Sequence, residues 1–273
     1  MIKTFFTAKG GNGRKVKKKV SGDVMNYLDV LKLTVLAGEI MIKSGAEIYR
    51  TEDVMDRIAK NYGARQVESF VTPTGIFCAI ESIDGQVFTT VRRIESRGFN
   101  LTKIDKVNAF SRRLSKRHIP VEEGIRELTE IAQEKSEYPW WLKIFAAGTG
   151  ALFSTGLIGG KGAEMAVSFL IAILVRAFIM AVPDFGLFPF FFDLAGGFIS
   201  TLLVVAIAKI YPLMLGVTVV GSIMPFIPGM SITNSIRDAI AGDFLASQAR
   251  GLEAFLRVLA LAVSAAVVLA LVV

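Results

Sequence analysis

The spacing of hydrophobic residues changes abruptly near residue 143. Before that point apolar and polar residues alternate at short, regular intervals, and after it long apolar runs dominate. A helix needs about 20 apolar residues to cross the hydrocarbon layer of a bilayer, which is about 30 Å thick. We predict five such spans, at roughly 144–160, 164–182, 187–208, 210–229 and 252–273.

The region before residue 143 carries the patterns of a small mixed fold. Three- and four-residue spacing of apolar side chains predicts helices at 23–43 and 46–61, with Asp23 as the N-cap of the first. Period-two alternation predicts three strands, with an Asp84-Gly85 hairpin signal between the last two. The strands are expected at 66–71, 75–82 and 86–94, and further helices at 101–116 and 121–135.

These patterns predict an α-helical membrane protein with five transmembrane helices, preceded by a small α+β cytoplasmic domain. We expect a basic disordered tail at 1–20, the α+β domain at 21–137 and the transmembrane domain at 138–273. The Tyr138-Pro139-Trp140-Trp141 run marks the entry to the bilayer, because aromatic side chains concentrate at the membrane interface.

The charge distribution supports this division and predicts an orientation. Residues 1–143 carry 25 Lys and Arg against 18 Asp and Glu, a net +7, whereas residues 144–273 carry 6 of each. Basic residues gather on the cytoplasmic side of membrane proteins, so we do not interpret this charge as a nucleic-acid surface. The first 20 residues lack the apolar core of a signal peptide. We therefore expect a multi-pass protein of the bacterial inner membrane, with a cytoplasmic N-terminal domain and the C-terminus outside.

The scarcity of reactive side chains excludes several classes of function. One cysteine, Cys78, and one histidine, His118, are too few for an internal disulfide or a Cys/His zinc site. We interpret Cys78 as a small hydrophobic residue in a strand and His118 as a solvated linker residue. The sequence offers no catalytic set, metal cluster or nucleotide-binding motif, so we expect neither an enzyme nor a cofactor.

Two polar clusters interrupt the first region. Ser44-Gly45-Ala46-Glu47, with Arg50 one turn further on, gathers hydroxyl, carboxylate and guanidinium groups around a helix N-terminus. This cluster fits either a capping box between Ser44 and Glu47 or a contact with an anionic ligand. The second cluster, Thr72-Pro73-Thr74, fits either a plain turn or the lining of a polar site.

Charged residues inside predicted spans are expensive and point to function. Arg176 in the second span and Asp193 in the third lie at similar depth, roughly 10 Å from the inner boundary. We therefore expect these two residues to pair. The pair either belongs to a proton or substrate path, or it locks two helices together as a structural ion pair.

The fourth span contains helix-breaking residues, among them Pro225, Pro228 and Gly229. Proline frees backbone carbonyl groups, which is tolerated at membrane depth only against protein or a watery cavity. Broken helices commonly form the binding sites of transporters. The polar stretch after the break could meet a carboxylate-bearing substrate, and it contains Ser231, Asn234, Arg237, Asp238 and Asp243. The alternative is a capped interfacial helix with solvated charges.

Together these motifs resemble the threonine/serine exporter (ThrE-like) family, in its short YjjP-like form. The resemblance covers about residues 24–270 and excludes the basic tail. It rests on Ser44-Gly45-Ala46-Glu47 with Tyr49-Arg50, on Val71-Thr72-Pro73-Thr74-Gly75-Ile76-Phe77, and on Pro228-Gly229 followed by Asn234, Arg237-Asp238 and Gly242-Asp243.

The resemblance implies a secondary exporter of small polar metabolites with a cytoplasmic domain ahead of its membrane helices. It further implies that this chain is the larger subunit of a split exporter, whose partner is a small five-helix membrane protein. In such split systems the implied substrates extend from threonine and serine to dicarboxylates such as succinate.

We therefore expect an exporter driven by a proton or ion gradient that needs this partner or a second copy. An odd-numbered repeat placed twice must be inverted, and inverted repeats bracket the site of many transporters. Candidates for the substrate and proton path are Arg176, Asp193, Ser231, Asn234, Arg237, Asp238 and Asp243. Candidates for a cytoplasmic gate are Ser44, Glu47, Arg50, Thr72 and Thr74. The rival interpretations are a membrane-tethered hydrolase and a membrane-anchored sensor or scaffold.

Overall fold

The computed structural model describes residues 26–95, 98–134, 138–182 and 189–272, so the predicted tail at 1–20 lies outside the described residues. Helices dominate, and one small sheet accompanies them, as the sequence predicts. The chain separates into two compact units. The first unit contains the described residues up to 134 together with Asn234–Ala249, a segment that the sequence analysis assigned to the membrane domain. The second unit contains the described residues from 138 to 233 and from 250 onward.

The first unit begins with two helices, continues with a β-meander and returns to helices. Its elements are α1 (Tyr27–Lys43), α2 (Ile48–Asn61), β1 (Gln66–Thr72), β2 (Gly75–Glu81), β3 (Val87–Arg93), α3 (Leu101–Leu114) and α4 (Val121–Gln133). Helix α1 is the centre of this unit and packs against α2, α3, α4 and the sheet. Ala246, from the segment Asn234–Ala249, belongs to the same hydrophobic core.

The three strands form an antiparallel sheet in the order β1-β2-β3. Side chains alternate between its faces, as they must in a pleated strand. The inner face packs against the core through Val71, Ile76, Cys78 and Ile80, all buried. The burial of Cys78 in β2 confirms its interpretation as a small hydrophobic residue in a strand, and this burial raises the pKa of its thiol to about 12.

Two helix boundaries differ from the sequence prediction. Asn26 caps α1, because its side chain accepts a hydrogen bond from the backbone N–H of Leu28, and the predicted cap Asp23 lies outside the described residues. The predicted capping box between Ser44 and Glu47 is wrong. Ser44 is the C-cap of α1, and α2 begins only at Ile48, after Gly45 has turned the chain with a φ of +82°. His118 is exposed, as expected.

The second unit is built from apolar helices. Its elements are α5 (Trp140–Leu157), α6 (Gly162–Ala181), α7 (Pro189–Ala208), α8 (Leu215–Ile223) and a 3-10 turn (Met224–Phe226), with the first residues of α9 (Gly229–Ile240) and most of α10 (Phe244–Val272). Helices α6, α7 and α10 are long and apolar enough to cross a membrane. A fourth candidate is α8 with the 3-10 turn and α9, which bend by 67° at the predicted break.

Contacts between individual residues show in which directions these helices pack. Gly156 faces Met165 and Gly148 faces Ile173, so α5 and α6 run antiparallel. Helices α6 and α8 run parallel, because Ser168 donates to the carbonyl oxygen of Thr218 and Glu164 accepts from the N–H of Met214, fifty residues on in both cases. Since α8 follows α6 in direction, it is antiparallel to α5.

Candidate functional site

The predicted gate residue Glu47 and the polar stretch after the broken span come together in the first unit. Asn234 Nδ2 donates to the carbonyl oxygen of Gly45 over 2.8 Å, and Arg237 donates to Glu47 Oε1 over 2.7 Å. Asp238 Oδ1 accepts from the backbone N–H of Ile48 over 3.2 Å. We name these contacts the junction cluster: Gly45, Glu47 and Ile48 on one side, and Asn234, Arg237 and Asp238 on the other.

The junction cluster supplies a hydrogen-bond acceptor that the start of α2 lacks. The first N–H groups of a helix lack partners within the helix, and the N-cap residue of α2, Glu47, supplies no side-chain cap. Asp238 supplies it from a distant part of the sequence. A carboxylate is favoured at this position because the N-terminus is the positive end of the helix dipole. The anion at the N-terminus of α2 is thus a carboxylate of the chain itself, and the predicted contact with an anionic ligand stays a prediction.

Glu47 stays ionised although it is only 5% exposed. Burial raises the pKa of this carboxyl, but its backbone hydrogen bond, Arg237 and Arg50 together outweigh burial and lower it below its ordinary value of 4.5. Arg50 lies 3.5 Å from Glu47 Oε2 and forms the second ion pair. Both arginines are more than two-fifths exposed, so water reaches the positive side of this cluster.

Glu52 lies one turn after the junction cluster. It links that cluster with two other stretches, the end of β1 and the segment that carries Asp243. Its Oε1 accepts from the backbone N–H of Val71 over 3.0 Å, at the end of β1. Burial and the negative charge of Asp243 raise the pKa of Glu52, against the lowering effect of that hydrogen bond. Three stretches that are far apart in sequence therefore meet around the first turns of α2.

The threonines predicted as gate residues close a tight turn. Thr72 Oγ1 donates to the carbonyl oxygen of Gly75 over 3.1 Å and accepts from the N–H of Thr74 over 3.4 Å. Thr72 and Gly75 are paired residues at the ends of β1 and β2. These hydrogen bonds are those of a plain turn, which is the first of the two interpretations given for this cluster.

The second unit contains an ion pair between the buried Asp193 in α7 and the partly buried Arg257 in α10. The guanidinium binds both carboxylate oxygens, with Nε 2.5 Å from Oδ2 and the second nitrogen 3.1 Å from Oδ1. Asp193 is 5% exposed. The expected pairing of Asp193 with Arg176 is therefore wrong, since Arg257 occupies both oxygens of the carboxylate.

The close approach of α7 and α10 explains this choice of partner. A methyl group added at Gly197, one turn after Asp193, would overlap Ser264 Oγ and lie 2.9 Å from the carbonyl oxygen of Leu261. Leu261 is one turn after Arg257, so the two helices run parallel and present Asp193 and Arg257 at one level. Arg257 was not among the candidates selected from the sequence. The apolar residues on both sides of it, from Ala254 to Val258, were the available signal.

Glu164 is a second buried carboxylate that the sequence analysis missed. It accepts from the backbone N–H groups of Lys161, over 3.0 Å, and Met214, over 3.3 Å. It therefore caps the start of α6 and fixes the start of α8. The signal was its position three residues after Lys161, at the first turn of the helix.

Hydroxyl groups occupy the interior of the second unit alongside its apolar core. The fully buried members are Thr155, Ser168, Ser200, Thr201, Thr218 and Ser222. Most of them donate to a carbonyl oxygen, for example Ser222 to Thr218 over 2.7 Å. Among the described residues, nothing within hydrogen-bonding distance partners Ser200 Oγ.

Of the remaining predicted residues, Arg176 lies in α6, Asp243 lies just before α10, and the others lie along the bent segment. Pro225 is in the 3-10 turn, Pro228 precedes the first residue of α9, Gly229, and Ser231 is buried in the first turn of that helix. Asp243 Oδ1 accepts from the N–H of Ala246 over 3.1 Å and caps α10.

Comparison with known families gives one match. The family described as "Putative threonine/serine exporter" (ThrE) matches residues 32–272 and so takes in both units. No curated protein and no solved structure matches the chain.

Proposed function

Because the chain belongs to the ThrE family, we propose that it is a secondary-active membrane exporter of small polar metabolites, with threonine, serine and dicarboxylates such as succinate as the substrate class. The family match over residues 32–272 is the observation that carries this proposal. The substrates share a carboxylate, and the proposed coupling is to a proton gradient.

The composition of the second unit supports a carrier rather than a simple anchor. Desolvating charges and hydroxyl groups among apolar helices is costly, so a unit that only anchored the protein would gain by replacing them. We propose that the Asp193–Arg257 pair takes part in the transport cycle. In that cycle Asp193 exchanges a proton or the pair opens to a carboxylate.

We further propose five crossings, formed by α5, α6, α7, the bent segment from α8, and α10. Three of these helices satisfy length and hydropathy on their own, and the bent segment is a fourth candidate. The antiparallel packing of α5 with α6 and the parallel packing of α6 with α8 and of α7 with α10 are the directions that five alternating crossings require. An inner-membrane protein with its N-terminal unit in the cytoplasm agrees with the excess of basic residues before residue 143.

In this proposal the junction cluster is the cytoplasmic gate. Segment Asn234–Ala249 folds with the first unit, yet it continues the chain directly from the broken span and into α10. Contacts of Asn234, Arg237 and Asp238 to the start of α2 therefore restrain a segment attached to the path on both sides. Release of these contacts is the proposed opening step.

We propose that the transporting assembly includes a small five-helix partner subunit or a second copy, because inverted repeats bracket the site of many transporters. A flux measurement tests the function as a whole. Membrane vesicles from cells that express the chain, with and without its candidate partner, are loaded with radiolabelled threonine, serine or succinate. Efflux is followed with and without a pH gradient.

The proposal expects efflux of at least one substrate that rises with the gradient and vanishes in vesicles without the chain. Equal efflux with and without the chain, for all three substrates in the presence of the partner, would overturn it. Vesicles that carry Asp193→Asn serve as a control in which the chain is present but the proposed path is closed.

A further inference from the structure

The outer face of the sheet carries one row of exposed apolar residues among polar ones. Phe70, Phe77 and Val91 are directly opposite one another across β1, β2 and β3, and they form a row from one edge of the sheet to the other. Between 48% and 61% of each side chain is accessible. The rings of Phe70 and Phe77 lie 6.0 Å apart. Exposed rows of large apolar residues on one face of a sheet are typical of interaction surfaces.

Opposite charges flank this row on a diagonal across the face. Glu68 lies on β1, two residues before Phe70, and Arg93 lies on β3, two residues after Val91. Both residues are exposed. Relative to Phe77, each is displaced by one strand and by one side-chain row, in opposite directions.

We propose that this outer face binds the same face of a second copy of the chain. Consider a two-fold axis that passes between two facing sheets, through Phe77 and perpendicular to the line from Glu68 to Arg93. It places Glu68 of each copy over Arg93 of the other, and the apolar rows meet at the centre. With strands about 4.8 Å apart and rows about 6.7 Å apart, the strands of the two copies then cross at about 70°, closer to the orthogonal than to the aligned packing of sheets.

The charges make this arrangement self-complementary, which is what a two-fold interface requires. A lipid headgroup surface, by contrast, would gain nothing from Glu68 and would be repelled by it if the lipid were anionic. The face therefore fits a second copy better than it fits a membrane surface.

The size of the face predicts when the contact forms. Three strands about 4.8 Å apart and four rows about 6.7 Å apart give roughly 400 Å² for each copy. That is about half of what a standard interface buries on each partner. The proposal therefore rests on the proposed membrane location, because confinement of both copies to one bilayer raises their effective concentration.

Disulfide cross-linking in native membranes tests the contact. Cys78 is the single cysteine of the chain, so Cys78→Ala gives a cysteine-free background. In that background Phe77→Cys places a thiol on the two-fold axis, and Asp84→Cys places one on the exposed hairpin as a matched control. After mild oxidation we expect a band at about twice 29.6 kDa for Phe77→Cys and at most a tenth as much for Asp84→Cys.

Charge reversal tests the orientation independently of the thiols on the axis. Arg93→Glu or Glu68→Arg, each combined with Phe77→Cys, is expected to reduce the cross-linked fraction several-fold, and the double reversal is expected to restore it. Three results overturn the proposal: equal cross-linking of the two cysteine variants, cross-linking of Phe77→Cys to a different protein, or a label on the thiol of Phe77→Cys that reports lipid contact without any dimer. The gel reads the contact whether or not flux is observed, so failure of the proposed function is distinguished from failure of the dimer.

Discussion

The two units use the same ion pair, an arginine on a buried carboxylate, in contrasting surroundings. Glu47 and Asp193 are each 5% exposed, but the side chain of Arg237 is 55% exposed whereas that of Arg257 is 22% exposed. Arg237 makes one hydrogen bond to its carboxylate, and Arg257 makes two. Coulomb attraction grows as water is excluded, and so does the penalty for leaving one partner alone. The Glu47–Arg237 pair is therefore suited to breaking and re-forming. The Asp193–Arg257 pair is not suited to breaking unless a ligand or a proton replaces the lost partner.

The largest expected effect is that of breaking the pair in the second unit. Asp193→Asn leaves Arg257 without its counter-charge among apolar helices, and loss of one partner of a buried pair typically costs about 3–5 kcal/mol. We expect transport to be abolished while the protein is still inserted in the membrane. Efflux of labelled substrate and the thermal midpoint in detergent are the measurements.

The double variant Asp193→Asn/Arg257→Gln separates stability from function. Removing both charges removes the unpaired arginine, so the thermal midpoint is expected to recover most of its loss while efflux stays at background. If Asp193→Asn alone transports at the wild-type rate, the pair has no part in the transport cycle, and the contrast between the two pairs concerns folding alone.

The next effect concerns the packing that holds the second unit together. A methyl group added at Gly221 would overlap Thr155 Oγ1 and lie 2.9 Å from Thr155 Cβ. Overpacking of this kind costs about 1–3 kcal/mol, so Gly221→Ala is expected to lower the thermal midpoint by several degrees. Gly216→Ala, in the same helix, meets nothing within 4 Å and is the matched control. Similar midpoints for the two variants would show that α5 and α8 are further apart than these contacts indicate.

Breaking the pair in the first unit is expected to have a smaller effect that depends on salt. Arg237→Gln removes a half-exposed partner of Glu47, and we expect a loss of about 1 kcal/mol at low ionic strength. Since exposed charges are screened, the loss should shrink in about 0.5 M salt, whereas the loss from Asp193→Asn should not. Thermal midpoints of both variants at two salt concentrations make the comparison. If salt changed the midpoints of both variants equally, the two ion pairs would not differ in their exposure to solvent.

Residues close in sequence were predicted well, and residues brought together by folding were not. Periodicity located the three strands and the helices around them to within a few residues, because burial of one face imposes a period on the sequence. The break at Pro228 followed from proline chemistry alone. Arg257 was missed as the partner of Asp193, because depth in a span says nothing about which helix is the neighbour. The close approach of α7 and α10 at Gly197 decides which helix is the neighbour. A glycine in the sequence shows only that such an approach is possible.

The junction cluster illustrates the same limit in the first unit. Both of its sides were singled out as polar motifs, but the capping box between Ser44 and Glu47 was a local solution to a problem that the fold solves from 190 residues away, through Asp238. A local cap and a distant cap satisfy the same helix N–H groups, so local sequence cannot distinguish between them.

The smallest predicted effects are the opposite pH responses of two glutamates within the first unit. The lowered pKa of Glu47 means that its contribution to folding stability is present above the ordinary value of 4.5 and is lost as the pH falls through the lowered value. The raised pKa of Glu52 means the reverse. Its contribution is present below 4.5 and is lost as the pH rises through the raised value.

Glu47→Gln is therefore expected to destabilise the protein at pH 7, and Glu52→Gln to stabilise it, each by less than about 1 kcal/mol. The difference for Glu52→Gln should fade as the pH falls from the raised pKa towards 4.5, and the difference for Glu47→Gln should fade as the pH falls from 4.5 through the lowered pKa. The Glu52→Gln substitution keeps an acceptor for the N–H of Val71, so its effect isolates the charge that Asp243 opposes. Thermal midpoints of the three proteins between about pH 4 and pH 7 test the prediction, and shifts of the same sign in both variants would contradict it. Such a result would mean that Glu47 and Glu52 have the same electrostatic environment. The contrast in surroundings would then rest on the Asp193–Arg257 pair of the second unit alone.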